Sequence, residues 1–261
     1  MQNLNITIIQ SELFWEEPEM NCSMFEQKIH QIKGDTDVIV LPEMFSTGFT
    51  MSGKSVAEKP HGPTTQWMGR MARETSSLVI GSVVIEENQK FFNRLLWVQP
   101  DGLIRTYDKR HLFRMANEHQ VYTPGNSRLI EEWKGWKICP LVCYDLRFPV
   151  WSRNNSLDYD VLIYVANWPA TRVGAWDTLL KARAIENLSY SIGVNRVGKD
   201  GNDIPYSGHS AVIDFKGDYI YQAFQQEEVC TIELDFESLK TFRKKFPAHE
   251  DADMFTIDPD F

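Results

Sequence analysis

Residues Lys137–Val142 read KICPLV, and the run stops at Cys143; residues Asp160–Ala166 read DVLIYVA, and that run stops at Asn167-Trp168-Pro169. Short, continuous and apolar, such runs fit strands buried on both faces, as in parallel sheets, rather than strands with one wet side, which alternate. Outward from them, Trp176–Leu188 places Trp176, Leu179, Leu180, Ala184 and Leu188 on one helical face. Ser191–Asn195 and Ala211–Phe215 return as strands. A Lys216-Gly217-Asp218 turn then leads into Tyr219–Ala223. The first half repeats the order. Strand-like Leu4–Gln10 precedes a helical Met20–Ile32, with Met24, Phe25, Ile29 and Ile32 at three- and four-residue spacing. Val38–Leu41 runs into Pro42-Glu43. Thr64–Thr75 is helical, with Trp67, Met68, Met71 and Ala72 on one face, and Leu78–Ile85 follows as a strand. Arg94–Gln99 and Leu103–Tyr107 flank Pro100-Asp101-Gly102, where Pro presets φ and Gly accepts positive φ, so a hairpin is expected.

Strands alternating with amphipathic helices predict an α/β layered fold. Because both halves run strand, helix, strand, helix, strand, hairpin, two similar halves are expected in one domain over residues 1–261, with paired sheets inside and helices outside. The acidic, Pro-broken segment 246–261 is expected to be an extended tail.

The composition narrows the function. Lys and Arg number 27 against 36 Asp and Glu, a net charge of −9. So acidic a chain is a poor nucleic-acid binder, since phosphate recognition needs basic surface that releases counterions. No apolar run approaches the length of a membrane span, and MQNLNITIIQ lacks the layout of a signal peptide, so a soluble cytoplasmic protein is expected. Cys22, Cys139, Cys143 and Cys230 are scattered and form no CxxC or zinc-type cluster, which fits a reducing compartment. There is no HExxH, EF-hand loop, GxGxxG or P-loop lysine, and no GxSxG nucleophile elbow.

Open α/β sheets bind ligands at the carboxyl ends of their strands. Three apolar runs end there in polar or reactive groups, Glu43, Cys143 and Asn167, and Lys109 follows the second arm of the hairpin. If these ends converge, one pocket holds a carboxylate, a thiol and an ammonium. That set has the parts for acyl transfer through a thioester. The thiol attacks, the lysine stabilises negative charge, and the carboxylate carries the proton. Taken singly, each residue has an ordinary alternative: Glu43 and Lys109 as solvated loop residues, Cys143 as core, and His61, His111, His119 and His209 as exposed loop histidines.

Taken jointly, VIVLPEMF, YDKRHLF and LVCYDLRFP resemble the three signature blocks of the nitrilase (carbon–nitrogen hydrolase) superfamily, in the order Glu, Lys, Cys. VANWP and LLKARAIENLSY fit as well, so the resemblance runs from about Leu4 to Pro247. It implies a four-layer αββα sandwich with Glu43 as general base, Lys109 as electrostatic stabiliser and Cys143 as nucleophile. It adds Glu118 as a second glutamate that positions substrate and helps the proton transfers. The backbone N–H of Tyr144 would join Lys109 in an oxyanion hole. CYDLRFP and HLFRMANEH look most like the omega-amidase branch, which hydrolyses the terminal amide of short dicarboxylic monoamides such as 2-oxoglutaramate. No cofactor or metal is implied, nor any nucleic-acid or membrane partner; a small amide substrate and a homodimer are. An anionic substrate needs a cationic end to its pocket. Arg147, Arg172 and Arg196 are candidates for it, Arg147 alternatively bracing the site through Asp145 or another carboxylate, and Phe45 and Trp168 are candidate walls. The residues leave two alternatives open: a nitrilase or N-carbamoyl amidase activity on the same triad, and a non-catalytic thiol redox or binding protein.

Overall fold

The computed structural model describes residues 2–257. Among them, strands β1 (Leu4–Gln10), β2 (Val38–Val40), β3 (Leu78–Glu87), β4 (Lys90–Val98) and β5 (Ile104–Asp108) come from the first half. Strands β6 (Glu131–Trp133), β7 (Trp136–Val142), β8 (Val161–Ala166) and β9 (Tyr190–Asn195) follow. The ribbon β10 (Val197–Lys199) and β11 (Pro205–Ser207) comes next, then β12 (Ala211–Ile213), β13 (Tyr219–Gln222) and β14 (Glu228–Leu234). Two six-stranded sheets result, in the orders β14-β1-β2-β3-β4-β5 and β13-β12-β9-β8-β7-β6. In each, three central strands run parallel (β1-β2-β3 and β7-β8-β9) and the outer ones antiparallel.

Strand pleating sorts the side chains into layers. In the first sheet, Ile6, Ile8, Val38, Val40, Leu78, Ile80, Leu95 and Trp97 belong to one buried cluster shared with Trp136, Ile138, Leu141 and Ile163 of the second sheet. Their chain neighbours Ile9, Ile39, Leu41, Val79, Leu96 and Val98 turn the other way. They pack under Phe25 and Ile29 of helix Pro18–His30 and Trp67, Met68 and Met71 of helix Pro63–Thr75. Helix Val173–Asn187 covers the second sheet at β9 so closely that a Cβ on Gly193 would lie 2.5 Å from the Trp176 ring. Burying such side chains is worth roughly 1.5–3 kcal/mol each. The expected two-sheet, helix-flanked α/β architecture is what the chain builds.

Three details differ from expectation. Glu228–Leu234 (EVCTIEL) forms β14, and it pairs antiparallel with β1 from Leu4↔Leu234 to Gln10↔Glu228, so the second half completes the edge of the first half's sheet. A helix then spans Phe236–Lys245, capped by Asp235, whose carboxylate accepts the Ser238 N–H at 2.9 Å. The tail is not wholly extended: Ala248–Asp251 makes a 3-10 turn, and Ile257 packs against the core. The rest of the expected tail, 258–261, lies outside the described residues. No helix among the described residues is long and apolar enough to cross a membrane.

Candidate active site

The carboxyl ends of β2, β7 and β8 meet over the end of β5. Beyond β2 the chain stays pinned to β3: the Leu41 N–H donates to the Ile80 carbonyl at 2.8 Å and the Met44 N–H to the Ser82 hydroxyl at 2.8 Å. Met44 takes a φ of +42°, outside the usual range for a bulky side chain, and the chain turns sharply there. Glu43 is thereby held inside, with no exposed surface. Lys109, one residue past β5, has its N–H on the Asn93 carbonyl and its carbonyl on the Gly125 N–H, both at 3.0 Å. Glycine is required at 125 by close approach, since a Cβ there would stand 2.1 Å from the Asp108 carbonyl oxygen. Glu118 opens the short helix Glu118–Val121 and is fully buried. Cys143 directly follows β7 at a φ of +43°, another strained position, and starts the 3-10 turn Cys143–Arg147.

These groups form one cluster. The Lys109 ammonium donates to Glu43 Oε1 at 2.8 Å and to the two Glu118 oxygens at 3.0 and 2.9 Å. Glu43 Oε2 accepts the Asn167 N–H at 2.8 Å, and Glu118 Oε2 accepts the Phe113 N–H at 2.5 Å. Burial opposes the charge on Lys109, but Glu118 and Glu43 outweigh it and hold the ammonium above its ordinary range. Burial pushes the Glu118 carboxyl up; Lys109 pulls it back only in part, and the like charge of Glu43 adds to the rise. The Cys143 thiol is pushed well up by burial and by the Glu43 carboxylate, with Lys109 offsetting less than these raise. One ammonium already faces two carboxylates, so a third negative charge on sulfur is disfavoured at rest.

Cys143, Lys109 and Asn167 open into a cavity of about 630 Å³. Of the residues expected around it, Tyr144, Arg147, Trp168 and Arg172 line it. The Arg147 guanidinium lies over the Trp168 ring at 5.1 Å. Arg172 lies over Phe113 at 5.3 Å and donates to the Met115 sulfur at 2.9 Å. Among the described residues neither arginine forms an ion pair with a carboxylate. Arg147 does not brace Asp145, whose oxygens are taken by the Tyr107 hydroxyl, the Val142 N–H and His111. His111, expected to be an exposed loop histidine, is stacked on Phe148 with centroids 3.7 Å apart.

Two candidates do not reach the cavity. Phe45 is fully buried, between Phe25 and Trp67, both with centroids at 5.6 Å, and its ring lies where a Cβ on Gly81 would meet it at 2.9 Å. The bare face of Gly81 admits the ring, and Phe49 supplies the wall instead, 5.1 Å from the Lys109 nitrogen. Arg196 is buried behind the ribbon, donating to the Val197, Lys199 and Leu13 carbonyls. Sequence reasoning missed Asn93, whose amide donates to Glu43 Oε1 at 2.8 Å. Its signal was a polar pair, Asn93-Arg94, inside the largely apolar FFNRLLWV strand. Among the described residues no group of three or more His, Cys, Asp or Glu is arranged to hold a metal ion.

A carboxylate–lysine–carboxylate cluster beside a cysteine on this two-sheet scaffold defines a class. The carbon–nitrogen hydrolase family model matches residues 5–244, and the chain belongs to that family. It is 48% identical over 258 residues to omega-amidase YafV of Escherichia coli (strain K12), covering 98% of this chain and all of that one. It is 30% identical over 250 residues to a 2-oxoglutaramate amidase of Bacillus subtilis (strain 168), covering 94% and 96% of the two chains. The crystal structure of XC1258 from Xanthomonas campestris, described as a CN-hydrolase superfamily protein, matches with a TM-score of 0.97 at 44% identity, covering 99% of this chain and all of that one. The chain is accordingly an amidohydrolase of the omega-amidase branch.

Proposed function

We propose that the chain hydrolyses the terminal amide of short dicarboxylic monoamides, 2-oxoglutaramate among them, through a thioester on Cys143. The observation that carries this is the cavity itself: Cys143 and Lys109, the latter tied to the buried Glu43 and Glu118, share its lining with Arg147 and Arg172, which have no carboxylate partner among the described residues. The names of the Escherichia coli and Bacillus subtilis relatives point to the same chemistry.

In this reading the Cys143 thiol gives its proton to Glu43 as sulfur bonds to the amide carbon. The oxyanion that forms is held by Lys109 and by the Tyr144 N–H, which lies at the start of a helical turn where such groups lack an internal acceptor. Glu43 then protonates the departing nitrogen, the C–N bond breaks and ammonia leaves. Water, deprotonated by Glu43, attacks the thioester, the C–S bond breaks, Glu43 returns that proton to the Cys143 sulfur, and the acid is released. Glu118 keeps Lys109 charged and in place.

The test is ammonia release from 2-oxoglutaramate and succinamate. The parent protein should release it, and Cys143→Ala should not. Arg172→Leu and Arg147→Leu should each raise KM for these anions about 10–100-fold, the worth of a charge-assisted hydrogen bond, while a neutral amide of equal length is hydrolysed as before. Substantial turnover by Cys143→Ala sinks the thioester; equal loss on neutral and anionic amides sinks the arginine assignment.

A further inference from the structure

Asn93 stands between the two carboxylates. Its side-chain N–H₂ donates to Glu43 Oε1 at 2.8 Å and, more weakly, to Glu118 Oε1 at 3.4 Å. The amide cannot turn round at no cost. The Ser82 hydroxyl accepts the Met44 N–H at 2.8 Å, so its own hydrogen is free to go to Asn93 Oδ1, also at 2.8 Å. That fixes the oxygen toward Ser82 and the donor toward the carboxylates. The Asn93 carbonyl also receives the Lys109 N–H. One residue of β4 therefore touches every charged member of the cluster, and Ser82 ties it to the turn that carries Glu43.

The two carboxylates are not equivalent. Lys109 donates to one oxygen of Glu43 and to both of Glu118, and each carboxylate accepts one backbone N–H, from Asn167 and Phe113; the Asn93 amide reaches Glu43 at 2.8 Å and Glu118 only at 3.4 Å. Hydrogen bonds to an ionised carboxylate favour that form. We infer that Asn93 is a positioning residue for the proton transfers: its amide holds the Glu43 carboxylate, more closely than that of Glu118, where it receives the Cys143 proton. This rests on Glu43 being the base. The groups facing the pair from the surrounding elements are Lys109, Cys143, Tyr122 and Tyr206. None of them replaces the lost donor if Asn93 is removed, because Lys109 is already shared.

The experiment is the pH profile of kcat/KM, whose acid limb reports ionisation of the carboxylate pair in the free enzyme. Asn93→Leu keeps the volume and removes the donor. The acid limb should move up by about one pH unit, with kcat at the optimum down about 10–100-fold and KM within about twofold. A loss of kcat with the limb unmoved would make Asn93 a packing residue and overturn the inference. Ser82→Ala leaves Asn93 in place but frees its amide, and should shift the limb the same way by less. It decides the matter where thermal melting shows Asn93→Leu to be unfolded, and an unmoved limb there counts against the inference equally. Cys143→Ala, assayed alongside, separates the failures. Activity in that variant removes the thioester reading itself; an inactive Cys143→Ala with an unmoved limb in the Asn93 and Ser82 variants removes only the role given to Asn93.

Discussion

The first half of the molecule brings to the site charges paired with one another, one ammonium between two carboxylates; the second brings to the cavity cations with no carboxylate partner among the described residues. Glu43, Lys109 and Glu118 all precede β6, are fully or almost fully buried, and bond to each other, to Asn93 and to the Phe113 and Asn167 N–H groups. Cys143, Tyr144, Arg147, Trp168 and Arg172 all follow β6. Its two arginines rest on aromatic rings instead of on carboxylates. Proton transfer needs groups whose places are fixed before substrate arrives, and mutual pairing inside a dry interior does that. Recognition of an anion needs cations whose partners have not been supplied.

The severest way to break the comparison is to remove the central cation. Lys109→Met leaves two carboxylates buried together with no ammonium. Removing one partner of a buried pair costs about 3–5 kcal/mol, which in a chain of this size lowers Tm by about 10 °C. Activity should fall at least 10²–10³-fold, the usual effect of losing one oxyanion donor. Adding Glu118→Gln to Lys109→Met should restore much of the Tm, because it removes the repulsion, and none of the activity. A melting curve of the double variant no better than the single would show that the cluster is not held by charge balance.

The excess of carboxylate over ammonium in the first half also bears on the resting state of the nucleophile in the second. Burial and Glu43 raise the Cys143 thiol well above the ordinary range, so the neutral form dominates below that raised value and the thiolate appears only as pH climbs through it. Alkylation of Cys143 by iodoacetamide, followed by mass spectrometry, should therefore keep accelerating beyond pH 9. A rate that levels off near neutrality would mean a thiolate paired with Lys109 at rest, and the proton would then have left before substrate binds.

What the sequence revealed follows from where information is local. Strands β7 and β8 were legible because unbroken apolar runs have few other uses, and each ended on a site residue. Glu43, Lys109 and Cys143 were legible as a set because they sit at strand ends and match the family's blocks. Strand β14 was not, since EVCTIEL carries acidic residues at both ends and its partner β1 lies at the other end of the chain. Asn93 was missed because the strand was read as starting one residue later, at Arg94. His111 looked like a loop histidine, because nothing nearby in sequence announces Asp145 as its partner at 2.7 Å. Contacts between distant segments decide these, and spacing along the chain does not encode them.

The smallest expected effect concerns two phenylalanines four residues apart. The sequence made Phe45 a wall of the cavity; the structure sends its ring into the helix-covered side of the first sheet, over Gly81, and gives the wall to Phe49. The pair therefore separates stability from recognition on a single loop. Phe45→Leu removes ring atoms from a packed interior where the rigid strand below cannot follow, at a cost of about 1–2 kcal/mol, so Tm should drop by a few degrees while KM stays put. Phe49→Leu removes a ring from the cavity face and from its contact with Lys109, so KM for 2-oxoglutaramate should rise a few-fold with Tm nearly unchanged. If the two variants exchange these signatures, the loop from Glu43 to Ser52 is threaded differently in solution. The division would fail on its first-half side, because the same loop positions both the carboxylate and the wall.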